Sequence, residues 1–199
     1  MSSVKRFSPA AKPPETLKQR MLRLVLAVGK RARVRFAVGG GLAVAARGFR
    51  RDTMDVDAFF HAEDRLRVLR ALQQVAGDDY RVESFAPSHW IAQPRGADPD
   101  ERVDLLFATA DPEESAIEMA TEAVCAGVKA PTFTTEWLVV CKFLAERDDA
   151  KDALDIWALH QRGAFDPKDV SRRLRQMGLG EDARRFPAFL ERMKNLKKG

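Results

Sequence analysis

A chain of 199 residues, 45% hydrophobic and 32% charged, has room for one domain, or one domain with a small helical extension, and is too apolar for disorder. No apolar run is long enough to cross a bilayer and none follows the basic N-terminus, so no membrane span and no secretory signal are expected, and a cytoplasmic protein is. The net charge of +5 conceals three zones: residues 1–35 carry ten basic and one acidic residue, 36–170 carry 15 and 25, and 171–199 carry nine and three. Basic ends attract phosphate backbones, which makes nucleic acid a reasonable partner, although solvated helix faces would give the same count. Cys125 and Cys141 sit in apolar surroundings without metal-ligand spacing and read as buried thiols. His61, His89 and His160 form no zinc or haem pattern.

In chain order, residues 1–14 read as a basic tail closed by Pro13-Pro14. From Glu15 to about Arg31, Leu17, Met21, Leu24, Val25 and Val28 recur at helical spacing. A strand is expected from Arg33 to Val38, a short helix from Gly41 to Arg47, and a second strand from Asp55 to Phe60. Glu63 to Val75 is an amphipathic helix, stopped by Gly77-Asp78-Asp79. Tyr80–Phe85, His89–Gln93 and Arg102–Phe107 read as three strands, the last two joined by a turn over Pro94–Asp100. A further strand is expected over Ala123–Lys129. Beyond Pro131 the pattern is helical: Thr134 or Thr135 to about Arg147, Ala150 to Gln161, a helix opened by Asp166-Pro167, and Glu181 to Leu196 after Gly178 and Gly180. The division is a basic tail at 1–14, a mixed α/β core at 15–130 and a helical region at 131–199. Trp90, Trp137 and Trp157 read as core or interface residues, with stacking on a base as the alternative.

The chemistry concentrates between residues 39 and 57. Gly39-Gly40-Gly41 closes one strand, and Asp55 and Asp57 sit on the next. Side chains alternate along a strand, so these two carboxylates share a face. Adjacent carboxylates repel unless a cation lies between them, and Mg²⁺ takes carboxylate and phosphate oxygens. Glycines beside such a pair let a phosphate approach the backbone. Asp104 stands alone in the apolar run Val103–Phe107 and is the candidate third carboxylate, since burying it unpaired is costly. An edge-strand acid facing solvent is the alternative. Arg147, Lys151, Asp152 and Asp155 are spaced as surface ion pairs on a helix. No P-loop is present, because no Lys-Ser/Thr follows the glycines at the required spacing.

Gly40-Gly41-Leu42-Ala43-Val44, Gly48 and Arg51-x-Thr53-x-Asp55-x-Asp57 resemble the signature of the nucleotidyltransferase superfamily with a DNA-polymerase-β-like core, most closely the AbiEii-type subgroup that includes bacterial toxins. The resemblance extends through Val103-Asp104-Leu105-Leu106 to Leu138-x-x-x-Lys142-x-x-Ala145-x-Arg147-x-x-x-Lys151-Asp152-x-x-Asp155. It implies an α+β fold: an N-terminal mixed-sheet nucleotidyltransferase core followed by a C-terminal helical bundle. It further implies that Asp55, Asp57 and Asp104 hold two Mg²⁺ ions. Gly40, Gly41, Arg51 and Thr53 would line the nucleoside triphosphate pocket, with Lys142 reaching the phosphates and Asp152 serving as an active-site acid. Three consecutive glycines depart from the usual pair, and spacing favours Gly40-Gly41 over Gly39-Gly40 as the phosphate contact.

The expected activity is transfer of a nucleoside monophosphate to an acceptor with release of pyrophosphate. RNA, tRNA in particular, is the leading acceptor through the basic termini, with a toxin role and a cognate antitoxin as the implied setting. Transfer to a protein (AMPylation) or a small molecule such as an aminoglycoside is the rival, and an inactive nucleotide- or partner-binding module the third reading.

Overall fold

The computed structural model describes residues 14–145 and 150–196. Almost all of the expected basic tail, and Arg147 at the expected end of the first C-terminal helix, lie outside them. Helix α1 (Leu17–Ala32) starts at a reciprocal cap: the Thr16 hydroxyl accepts from the Gln19 N–H, and the Gln19 side chain accepts from the Thr16 N–H. Arg33 ends it with a left-handed φ of 56°. The strand expected from Arg33 therefore begins only at β1 (Phe36–Val38). Then follow α2 (Gly40–Ala46), β2 (Val56–His61) and, after a 3-10 turn at Ala62–Asp64, α3 (Arg65–Ala76). Strands β3 (Tyr80–Ala86), β4 (His89–Pro94) and β5 (Val103–Ala108) fall where the alternation places them.

Two features of the next stretch differ from expectation. A short helix α4 (Glu113–Glu118) had no periodic signal. The expected strand over Ala123–Lys129 is instead the middle of a hairpin, β6 (Thr121–Cys125) and β7 (Val128–Thr132). Its turn is made by Ala126 and Gly127, with φ values of 46° and 84°. Periodicity alone cannot mark a two-residue turn inside a run of β-compatible residues. Helices α5 (Thr135–Leu144), α6 (Ala150–Gln161), α7 (Pro167–Gln176) and α8 (Gly180–Leu196) complete the described chain. Asp166 caps α7, accepting from the Lys168 N–H, with Pro167 at the first helical position.

The strands form one mixed seven-stranded sheet in the order β3-β4-β5-β2-β1-β7-β6. β2 pairs in parallel with β5 and β1 with β7; the other pairings are antiparallel. The fold is thus α+β with helices after the sheet, as expected. Alternation sends Val56, Ala58 and Phe60 of β2 and Val103, Leu105 and Phe107 of β5 to the face covered by α1 and α3, building one core. Asp57, Phe59, Asp104 and Leu106 take the opposite face. A second core on that side joins Ala37, Ala43 and Val44 to residues of α5, α6, α7 and α8. Trp137 and Trp157 are buried in it, and Trp90 is half-buried against the first core. For Trp137 and Trp157 burial removes the base-stacking alternative. No helix among the described residues is long and apolar enough to cross a membrane.

Candidate active site

Parallel pairing of β2 and β5 sets Asp57 directly beside Asp104. Asp55 precedes Asp57 by two residues and shares its side. One carboxylate oxygen from each of Asp55, Asp57 and Asp104 lies within 4.8 Å of the others. Asp104 is 4% exposed and sits on a central strand, so the solvent-facing alternative does not hold. Its carboxylate is engaged twice. Arg102, two residues earlier on the same strand face, donates from Nε at 3.1 and 3.2 Å, and His89 Nε2 lies 2.7 Å from Oδ1. On Asp55, Oδ1 accepts from the Thr53 hydroxyl at 2.5 Å. Three carboxylates this close repel one another, and a set of hard oxygen donors matches a divalent cation such as Mg²⁺.

The three glycines serve close approach. Gly40 has a φ of 54°, which disfavours any side chain, and a Cβ there would run into the Asp57 carboxylate. A Cβ on Gly41 would lie 2.7 Å from Thr53 Oγ1, and one on Gly39 would strike the Phe59 ring. Backbone at 40 therefore lies close against Asp57 of β2 and backbone at 41 against Thr53 of the preceding loop, while Gly39 makes room for Phe59. The Gly39 N–H donates to the Asp57 carbonyl at 3.0 Å, which ties the end of β1 to β2.

A second constellation comes from the helices. Lys142 of α5 pairs with Asp152 and, at 2.9 Å, with Asp155 of α6. Asp155 also receives Arg51 from the loop before β2. Its side chain is 2% exposed, so the surface-pair reading of Asp155 is overturned. The period-three spacing of α6 points Asp155 at two cations arriving from other elements. Arg51 and Thr53 belong to one loop, so this ion-pair knot and the acid cluster share a backbone connection. Arg102 and His89 are the residues that sequence reasoning missed, and Asp155 is the one it read as a surface pair. Arg102 was legible as the same-face neighbour of Asp104, whereas His89 and Asp155 depend on strand register and helix packing.

Both cysteines are free thiols. Burial pushes both up, Cys141 well above the ordinary thiol value and Cys125 less, which disfavours the thiolate at neutral pH. Arg47 is partly buried where α2 ends; it donates to the Thr132 and Phe133 carbonyls at 2.9 and 2.8 Å, and desolvation lowers its pKa. A cleft of about 600 Å³ bounded by Arg20 and Leu24 of α1, Tyr80 and Arg95 holds none of the site residues. Leu24 and Tyr80 belong to the α1/α3 face, so the cleft lies across the sheet from the acids, and the acid cluster is the better candidate site on chemical grounds.

No family model matches the chain, and no curated protein matches it by sequence. Solved structures do match. The antibiotic-resistance factor ANT(2'')-Ia aligns over 90% of this chain and 94% of its own with 23% identity and a TM-score of 0.55. The same factor in complex with adenylyl-2''-tobramycin aligns over 85% and 96% with 19% identity and a TM-score of 0.52. An antigenic nucleotidyltransferase-like protein from Paracoccidioides brasiliensis aligns over 70% and 73% with 21% identity and a TM-score of 0.50. The likeness is one of fold: the chain shares the fold of these nucleotidyltransferase structures.

Proposed function

We propose that the protein is a Mg²⁺-dependent nucleotidyltransferase that moves a nucleoside monophosphate from a nucleoside triphosphate to a hydroxyl of RNA, with tRNA as the leading acceptor. The observation that carries this reading is the convergence of Asp55, Asp57 and Asp104 beside the backbone of Gly40 and Gly41. All three carboxylates would hold the metal, which when bound neutralises the triphosphate and acidifies the attacking hydroxyl. Gly40 and Gly41 offer backbone without side chains to the phosphates, and Thr53 orients Asp55 through its hydroxyl. Arg51 and Lys142 supply positive charge for the triphosphate, and Asp152 and Asp155 hold that charge in place. The acceptor oxygen forms its bond to the α-phosphorus as the bond to the bridging oxygen breaks. Pyrophosphate leaves, and the hydroxyl proton passes to water.

An RNA acceptor is supported by the basic ends of the chain. A toxin role with a cognate antitoxin rests on the resemblance to AbiEii-type enzymes. The second reading is a small-molecule acceptor: the fold is shared with a factor solved with adenylyl-2''-tobramycin, and the acidic middle of the chain suits a cationic antibiotic. The test is incubation with α-labelled nucleoside triphosphates, Mg²⁺ and, separately, total tRNA, tobramycin and cell protein. Label in tRNA supports the proposal; label confined to tobramycin or protein moves the acceptor to that class. Incorporation unchanged by Asp57→Asn would overturn the metal assignment. No incorporation by the wild-type protein into any acceptor leaves the binding-module reading in its place.

A further inference from the structure

Strand β3 is an edge strand, and its pairing with β4 slips at one residue. Ser84 pairs with Trp90 and Ala86 with His89, so Phe85 is the extra residue of a bulge. A bulge re-aims the side chain it carries. Phe85 is 73% exposed, the highest value among the large exposed hydrophobics of the described residues. Its ring is not adrift: it packs 5.0 Å from the His89 ring at an interplanar angle of 57°. His89 Nε2 in turn lies 2.7 Å from Asp104 Oδ1, in the acid cluster. Phe85 is therefore separated from a candidate metal-holding carboxylate by the width of one imidazole.

The surroundings of this ring are chemically mixed. On the acid-bearing face, His89 pairs with Leu106 and Ile91 with Asp104, and His89, Leu106 and Ile91 are each half-buried. The tip of the hairpin is fixed by Arg65 of α3, whose Nη1 donates to the Pro87 carbonyl at 3.0 Å. An arginine has five N–H donors, so this bond leaves the rest of an exposed guanidinium turned to solvent beside the hairpin. Arg67 pairs with Asp64, and the rest of α3 lies on the other face of the sheet, so Arg65 at its first turn is the cation that reaches the hairpin. An exposed ring with an exposed cation at the same hairpin is a combination by which single-stranded nucleic acid is held: bases stack on the aromatic and phosphates meet the cation.

The geometry points to Phe85, set on His89, as the acceptor platform: it stacks an unpaired base at the reacting end of a single-stranded RNA, with Arg65 taking a neighbouring phosphate. This rests on the transferase reading for its meaning, but its test does not. Binding of a short fluorescently labelled single-stranded RNA is followed by anisotropy, alongside the same strand annealed to its complement. Phe85→Ala should weaken single-strand binding about tenfold, and Phe85→Trp should keep it. Binding of ATP with Mg²⁺, read by thermal shift, should not move in either variant. Arg65→Ala should weaken binding and reduce its salt dependence. Because Phe85 is exposed, its loss does not threaten folding, so unchanged single-strand binding in Phe85→Ala overturns the platform. So does a wild-type protein that binds no single-stranded RNA, or a Phe85→Ala defect seen only with tobramycin. Asp57→Asn separates the two ideas. If RNA binding depends on Phe85 while Asp57→Asn incorporates label as wild type does, the metal assignment fails and the platform stands.

Discussion

At Gly40 a single hydrogen decides whether the site forms. A Cβ there meets the Asp57 carboxylate, and the φ of 54° is one that side chains rarely adopt. Gly40→Ala is expected to lower the melting temperature and, under the proposed metal assignment, to abolish the stabilisation by Mg²⁺ expected of the wild type. Differential scanning fluorimetry with and without Mg²⁺ checks both. Asp155 presents the complementary case of a side chain that must stay. It is 2% exposed and counters both Arg51 and Lys142, so Asp155→Ala leaves two cations without their shared partner. Removing one member of a buried ion pair costs roughly 3–5 kcal/mol, a loss that urea denaturation would resolve. The thiols of Cys125 and Cys141 should stay unmodified by a thiol reagent in native protein at neutral pH and react fully on unfolding. Burial raises both above their ordinary value, so the reactive thiolate is scarce.

Elements carry this site through their ends rather than their middles. The acids lie at the starts of β2 and β5, the glycines at the start of α2, and the α5–α6 pair brings Lys142 to Asp155. Helix α1 shows how a terminus can serve two purposes. Gln19 closes the cap with Thr16, and its amide nitrogen donates to the Ala126 carbonyl at 3.1 Å, tying α1 to the β6–β7 turn. Thr16→Ala is expected to lose about 1 kcal/mol of stability, measured by chemical denaturation, without altering metal binding. The long amphipathic elements α1 and α3 and the alternating strands β2 and β5 were legible because their periods report burial directly. The β6–β7 hairpin was not, since Ala126 is an unremarkable residue whose left-handed φ is imposed by the turn. Helix α4 was missed for a related reason: six residues are too few to show a helical period.

For the whole molecule, the second core is the feature that composition cannot anticipate. It packs Ala37, Ala43 and Val44 from the first 45 residues against Phe186 and Leu190 near the other end. Phe186 is fully buried there, flanked by Phe143, Phe165 and Phe189. Phe186→Ala is expected to cost roughly 3–5 kcal/mol, again by urea denaturation. It should also weaken Mg²⁺-dependent stabilisation indirectly, because α5 and α6 share that core and carry Lys142 and Asp155. By itself the sequence determined the residue types and their local spacing: the glycine run, the Asp-x-Asp pair on one strand face, the lone acid among Val and Leu, and the amphipathic helices. Those follow from φ/ψ preference and side-chain period, which act over a few residues. Only the tertiary structure decided that β5 lies parallel to β2 with Asp104 at the level of Asp57, that His89 reaches Asp104 with Phe85 against its ring, and that Asp155 is a buried counter-ion. Those depend on strand register and helix packing between residues far apart in the chain, where no local period carries information.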